Sequence, residues 1–95
     1  MDEIVITAIL KPIEGHENEV YNVLKSVGEA SRKETGCIQY DLHRSIEDST
    51  YIIQEVWQNE EAVKGHINST HYQEYRDSIP DFITSREVYK MKKLD

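Results

Sequence analysis

The stretch Thr50-Tyr51-Ile52-Ile53-Gln54-Glu55-Val56-Trp57-Gln58 has the composition of a β-strand throughout. Successive strand side chains point to opposite faces. Tyr51, Ile53, Glu55 and Trp57 therefore share one face, and Ile52, Gln54 and Val56 share the other. Both faces carry large apolar residues. A sheet with one wet face alternates apolar and polar more cleanly, so this strand requires cover on both sides.

The neighbouring segments extend the pattern. Residues 37–44 read as the strand before it, with Ile38, Tyr40 and Leu42 alternating with Gln39, Asp41 and His43. The turn-forming run Ser45-Ile46-Glu47-Asp48-Ser49 joins the two as a hairpin. Residues 3–10 form a first strand, again apolar on both faces, and Lys11-Pro12 is expected to break it. Between these strands, Val20, Val23, Leu24 and Val27 recur at helical spacing, and Ala30 continues the stripe. Glu17 and Glu19 suit the helix N-terminus, and Gly36 is placed as its C-terminal cap. After the hairpin, Asn59 caps a second helix whose less polar side holds Ala62, Val63, His66 and Ile67. Asn68-Ser69-Thr70 reads as a break and a second cap. Tyr72, Tyr75 and Ile79 then continue at helical spacing to Pro80, and a last strand covers 82–91.

The element order is β-α-β-β-α-β, the ferredoxin-like pattern of the α+β class. It predicts a four-stranded antiparallel sheet with both helices on one face. The bare face is expected to meet a second copy of the chain in a twofold homodimer. The 95 residues fit a single domain, 1–95.

Charged residues make up 31% of the chain and the net charge is −7. The basic residues are scattered, apart from Lys90-Met91-Lys92-Lys93, so no stripe exists for a phosphate backbone or an anionic membrane. Neither nucleic acid nor membrane is an expected partner. No apolar run approaches the ~20 residues of a spanning helix. The acidic start lacks a basic n-region, which does not fit a signal peptide. Cys37 is the lone cysteine, which suits a reducing cytoplasm; it is read as a small buried residue, with a nucleophile or redox sensor as the alternative.

Glu55 is the polar residue of most interest. Under an apolar roof its carboxyl would be desolvated and become a base or acid near neutral pH. Alternatively it pairs with Arg32 or Arg86 in a structural role. His66 lies near the apolar side of its helix and titrates in the range useful for proton transfer. Trp57, Tyr40 and Tyr72 are core residues or cavity walls, and His71 is read as a surface residue beside Tyr72. His66 and His71 are five apart, which does not place two helix histidines on one face, so no metal site is expected.

The segments Ser31-Arg32-Lys33-Glu34-Thr35-Gly36-Cys37-Ile38-Gln39-Tyr40 and Ile53-Gln54-Glu55-Val56-Trp57 resemble two signatures of the antibiotic-biosynthesis monooxygenase family. Lys11 with Gly15 and Glu17, Ala62 followed by His66, and the His71-Tyr72 pair agree. The resemblance implies a dimeric α+β barrel with a small-molecule pocket between each sheet and its helices. The family includes cofactor-free monooxygenases of aromatic polyketides, quinol monooxygenases, haem-degrading enzymes and an isomerase of an autoinducer phosphosugar. The haem-degrading pattern of asparagine, tryptophan and histidine is replaced here by Thr7, His66 and Arg76. The histidine-rich second helix is more similar to the quinol-oxidising and isomerase branches.

The resemblance thus implies an enzyme without cofactor that oxidises an electron-rich aromatic or quinol with O2. His66 would be the catalytic base, Glu55 would orient or tune it, and Trp57, Tyr40, Tyr72 and His71 would contact substrate. Two alternatives remain: an isomerase of a small phosphorylated sugar-like metabolite, and a non-catalytic small-molecule-binding dimer.

Overall fold

A computed structural model describes residues 2–95. The elements run β1 (Ile4–Pro12), α1 (Glu17–Arg32), β2 (Cys37–Arg44), β3 (Tyr51–Trp57), α2 (Glu60–Ile67), α3 (Thr70–Ser78), a 3-10 turn (Ile79–Phe82) and β4 (Ile83–Met91). The sheet has the order β2-β3-β1-β4 and every neighbouring pair is antiparallel. The fold is ferredoxin-like α+β.

The alternation in β3 sets the layers. Tyr51, Ile53, Glu55 and Trp57 are buried, and Ile52, Gln54 and Val56 are only half-buried. The inward side chains meet Ile6, Ala8 and Leu10 of β1, Val20, Leu24 and Val27 of α1, and Val63, Tyr75 and Ile79 in one core. The expected caps form. Asn59 accepts a hydrogen bond from the Ala62 N–H at 2.9 Å, and Ser69 Oγ accepts one from the Tyr72 N–H at 3.2 Å. Ser69 starts a new helix only two residues after α2 ends, which divides this stretch into two helices with different directions of side-chain projection.

Three local expectations change. Lys11-Pro12 does not break β1: β3 ends its pairing at Leu10, but β4 continues to Pro12 across a bulge at Lys11/Pro12. At that point β1 has one neighbour, where a missing proline N–H leaves no ladder partner stranded. Ile38 does not join Tyr40 and Leu42 in the core. The β2–β3 register shifts between Cys37 and Gln39, and Ile38 is the extra residue, half-exposed at 50%. Gly36 does not cap α1, whose helical residues end at Arg32. It is required instead by a close approach, because a Cβ there would sit 2.3 Å from the Ala62 Cβ of α2. This contact seats α2 on the start of β2.

Candidate active site

The inward face of β3 delivers two neighbours of opposite hydrogen-bonding character. Trp57 is fully buried and its Nε1–H donates to Glu55 Oε1 at 2.9 Å. Neither Arg32 nor Arg86 forms an ion pair with Glu55. The Arg32 guanidinium donates to the Tyr40 carbonyl at 2.8 Å, and Arg86 donates to the phenol oxygens of Tyr75 at 2.8 Å and Tyr72 at 3.3 Å. Glu55 is therefore a buried carboxyl held by an indole. Burial pushes its pKa up to about 7, opposed by the Trp57 hydrogen bond and by the charge of Arg86.

His66 projects from α2 onto the same spot. Its ring packs on Trp57 with centroids 4.4 Å apart, and Tyr72 and Tyr40 meet it edge-on at 5.0 and 6.0 Å. Its Nε2 lies 4.0 Å from Glu55 Oε1. Its Nδ1 lies 2.7 Å from Glu34 Oε2, and His71 Nε2 lies 2.7 Å from the same oxygen. A carboxylate oxygen only accepts, so both ring nitrogens facing it donate. His66 consequently carries its proton on Nδ1 and turns an unprotonated Nε2 towards Glu55. Burial lowers the His66 pKa, while the hydrogen bond and charge of Glu34 oppose that shift.

Beside this pair lies a cavity of about 130 Å³. Glu55, His66, Tyr40, Tyr72, Tyr75 and Arg86 line it, with Ile6, Ala8 and Val63 among the apolar walls. Tyr40 and Tyr72 thus reach the cavity. Trp57 stands behind His66. His71 lies on the far side of Glu34, half-buried rather than on the surface, and faces a groove between α1 and α3. Burial raises the Cys37 thiol pKa, so it is not a thiolate near neutrality.

Sequence reasoning missed Glu34, which comes from the connection between α1 and β2 and reaches both helices. Its position inside the stretch 31–40 was the available signal. The five-residue spacing of His66 and His71 does not keep the two rings apart. The break at Asn68-Ser69 turns α3 so that His66 and His71 converge on one carboxylate despite their five-residue spacing.

A family model described as Antibiotic biosynthesis monooxygenase matches residues 3–78. The chain belongs to the antibiotic biosynthesis monooxygenase family. It is similar to YcnE of Bacillus subtilis, named as a candidate monooxygenase, with 34% identity over 74% of this chain and 75% of that protein. It is also similar to sll1783 of Synechocystis, which is named as uncharacterised, with 28% identity over 98% of this chain. This chain spans 64% of the length of that relative. The crystal structure of PA3566 from Pseudomonas aeruginosa superposes with a TM-score of 0.94 at 24% identity, covering 100% of this chain and 97% of the other, which shows a shared fold. Within the family fold, the chain's cavity lies between the inner sheet face and α2–α3.

The raised Glu55 pKa has a consequence for stability. Below its ordinary value of 4.5 the group is protonated in both states, and its burial costs no extra charge desolvation. As pH rises from 4.5 to about 7, the unfolded chain ionises while the folded chain retains the proton, so stability falls; above about 7 the loss is complete. Glu55→Gln removes this dependence. Chemical denaturation from pH 4 to 8 should show the variant gaining on the wild type, by on the order of 3 kcal/mol across that window. Parallel pH profiles would place Glu55 in water.

Proposed function

We propose that this protein is a monooxygenase of a small electron-rich aromatic or quinol that uses O2 and needs no cofactor. The observation that carries this reading is the placement of His66 in the cavity wall with its Nδ1 2.7 Å from Glu34 Oε2, an arrangement that leaves Nε2 as the nitrogen able to accept a proton. The family and the name of YcnE support monooxygenase-like chemistry.

His66 Nε2 removes a phenolic proton from the substrate. The resulting anion transfers one electron to O2, the substrate radical and superoxide combine into a peroxide anion, and that anion takes a proton back from the His66 imidazolium to become a hydroperoxide. Loss of water from the hydroperoxide leaves a carbonyl, so one oxygen atom enters the product and the other leaves as water. The substrate provides the electrons, and the protein provides a base, orientation and exclusion of bulk water. Glu34 orients the imidazole and stabilises the imidazolium formed in the first step. Glu55, 4.0 Å from Nε2 and with a pKa of about 7, is a second group beside the imidazole that can share the proton before it returns to the peroxide. Tyr40 and Tyr72 form walls, Trp57 supports the imidazole from behind, and His71 holds Glu34 in place.

The same base could run an isomerisation without O2, and Arg86 in the cavity wall would favour the phosphorylated substrate of that second reading. Oxygen uptake separates the two. With a panel of quinols and anthrones, wild type should consume O2, and His66→Ala should lower kcat by about 10²–10⁴. Glu34→Gln should lower kcat with KM unchanged. Uptake that survives His66→Ala removes the base assignment, and no uptake on the whole panel removes the monooxygenase reading.

We also propose a homodimer through the outer sheet face. Val5 and Ile9 of β1 and Ile52 and Val56 of β3 form its half-buried centre, with the exposed Tyr89 and Met91 on β4. Light scattering should give twice the 11.1 kDa chain mass, and Val56→Lys should give one chain mass. A monomeric wild type at micromolar concentration contradicts the dimer.

A further inference from the structure

Glu34 Oε2, His66 Nδ1 and His71 Nε2 come from three different elements, the α1–β2 connection, α2 and α3. One ligand-type atom of each side chain lies within 4.8 Å of the others. At present a single carboxylate oxygen accepts two N–H bonds, each of 2.7 Å. Both imidazoles aim a nitrogen at a common point, so a cation held there would take the place of the two N–H bonds, with the carboxylate as a third ligand beside it.

The donor set is two imidazoles and one carboxylate. Neutral imidazole nitrogen suits first-row transition ions and is poorly matched to magnesium or calcium, which take oxygen ligands. Three protein ligands are also the number found where a zinc-type ion keeps a further position open. Access exists on one side: the His66 side chain is 3% exposed, while those of Glu34 and His71 are 19% and 26% exposed. An incoming ion would therefore be held against the buried ring and reached through the two outer ligands.

A second observation points the same way. Metal-bound histidines almost always direct the remaining ring nitrogen at a supporting carboxylate or carbonyl. His66 Nε2 faces Glu55 Oε1 at 4.0 Å, and that oxygen is fixed by the Trp57 indole. At 4.0 Å this is not yet a hydrogen bond, but it places an outer carboxylate next to the most buried donor, within a small side-chain movement of Nε2.

We propose that Glu34, His66 and His71 form a binding site for one divalent first-row transition-metal ion of the zinc or iron(II) class. With an ion on Nδ1, the ring proton of His66 moves to Nε2 and donates towards Glu55. The cavity then loses its unprotonated nitrogen, so metal occupancy and the proton abstraction proposed above exclude one another. The site itself stands without that reaction; only this inhibitory consequence rests on it.

The test uses the full chain, cleared of metal by chelation, and Co2+ alone as the probe. Titration should produce an intense visible band typical of a four- or five-coordinate ion, saturating at one equivalent per chain. His71→Ala, a change in a half-buried first-turn residue of α3, should abolish the band with the circular dichroism spectrum unchanged. Glu55→Gln should weaken the binding about 10-fold, as expected for loss of an outer carboxylate. A double variant His16→Ala and His43→Ala should bind as wild type. No band in the wild type, a band that survives His71→Ala, or one lost in the His16/His43 variant would overturn the site.

Discussion

Burying ionisable groups in so small a core is permissible only where each polar atom finds a partner. The chain Trp57–Glu55–His66–Glu34–His71 meets that constraint through three hydrogen bonds and leaves one gap, at His66 Nε2, which faces the cavity. The indole fixes Glu55, Glu55 stands 4.0 Å from the inner nitrogen of His66, and Glu34 ties the outer nitrogen to His71. This line of groups crosses from the sheet through α2 to α3. Its geometry depends on Gly36, which lets α2 approach the sheet, and on Ser69, which starts α3 in a new direction. In one continuous helix, residues five apart would lie roughly 140° from each other around the axis. Two short helices remove that separation.

The charge distribution of the cavity follows from the same constraint. A carboxyl and an imidazole share a desolvated space, and burial disfavours the charged form of each. Glu55 moves up to about 7, and His66 moves down from its usual range. Arg86 does not neutralise Glu55 directly, because its guanidinium is committed to the phenols of Tyr75 and Tyr72. Environments of this kind are characteristic of sites that move protons. The antibiotic biosynthesis monooxygenase family supplies the reaction type that fits them, while the chemistry proposed for this chain rests on its own residues.

The layers of the fold were legible because they depend on period alone. The two-faced pattern of residues 51–57 located the core, and the Asn59 and Ser69 caps were readable from residue type. Glu55 and His66 were legible as candidates because each is a polar residue on an apolar face. Ile38 was not, since a bulge adds a residue without any mark in the alternation. Gly36 was misassigned for a related reason: glycine serves turns and close approaches alike, and only the position of Ala62 distinguishes them. Glu34 and His71 could not be joined from sequence, because their meeting depends on the angle between α2 and α3. A helix break announces that such an angle exists but not its value.

The central claim is the protonation pattern of one ring. Long-range 1H–15N correlation spectra of the histidine side chains at pH 8, on metal-free protein, report it directly. The account predicts that His66 carries its proton on Nδ1 and that its Nε2 resonates as an unprotonated, pyridine-like nitrogen. A proton on Nε2, or a doubly protonated ring at that pH, would contradict it.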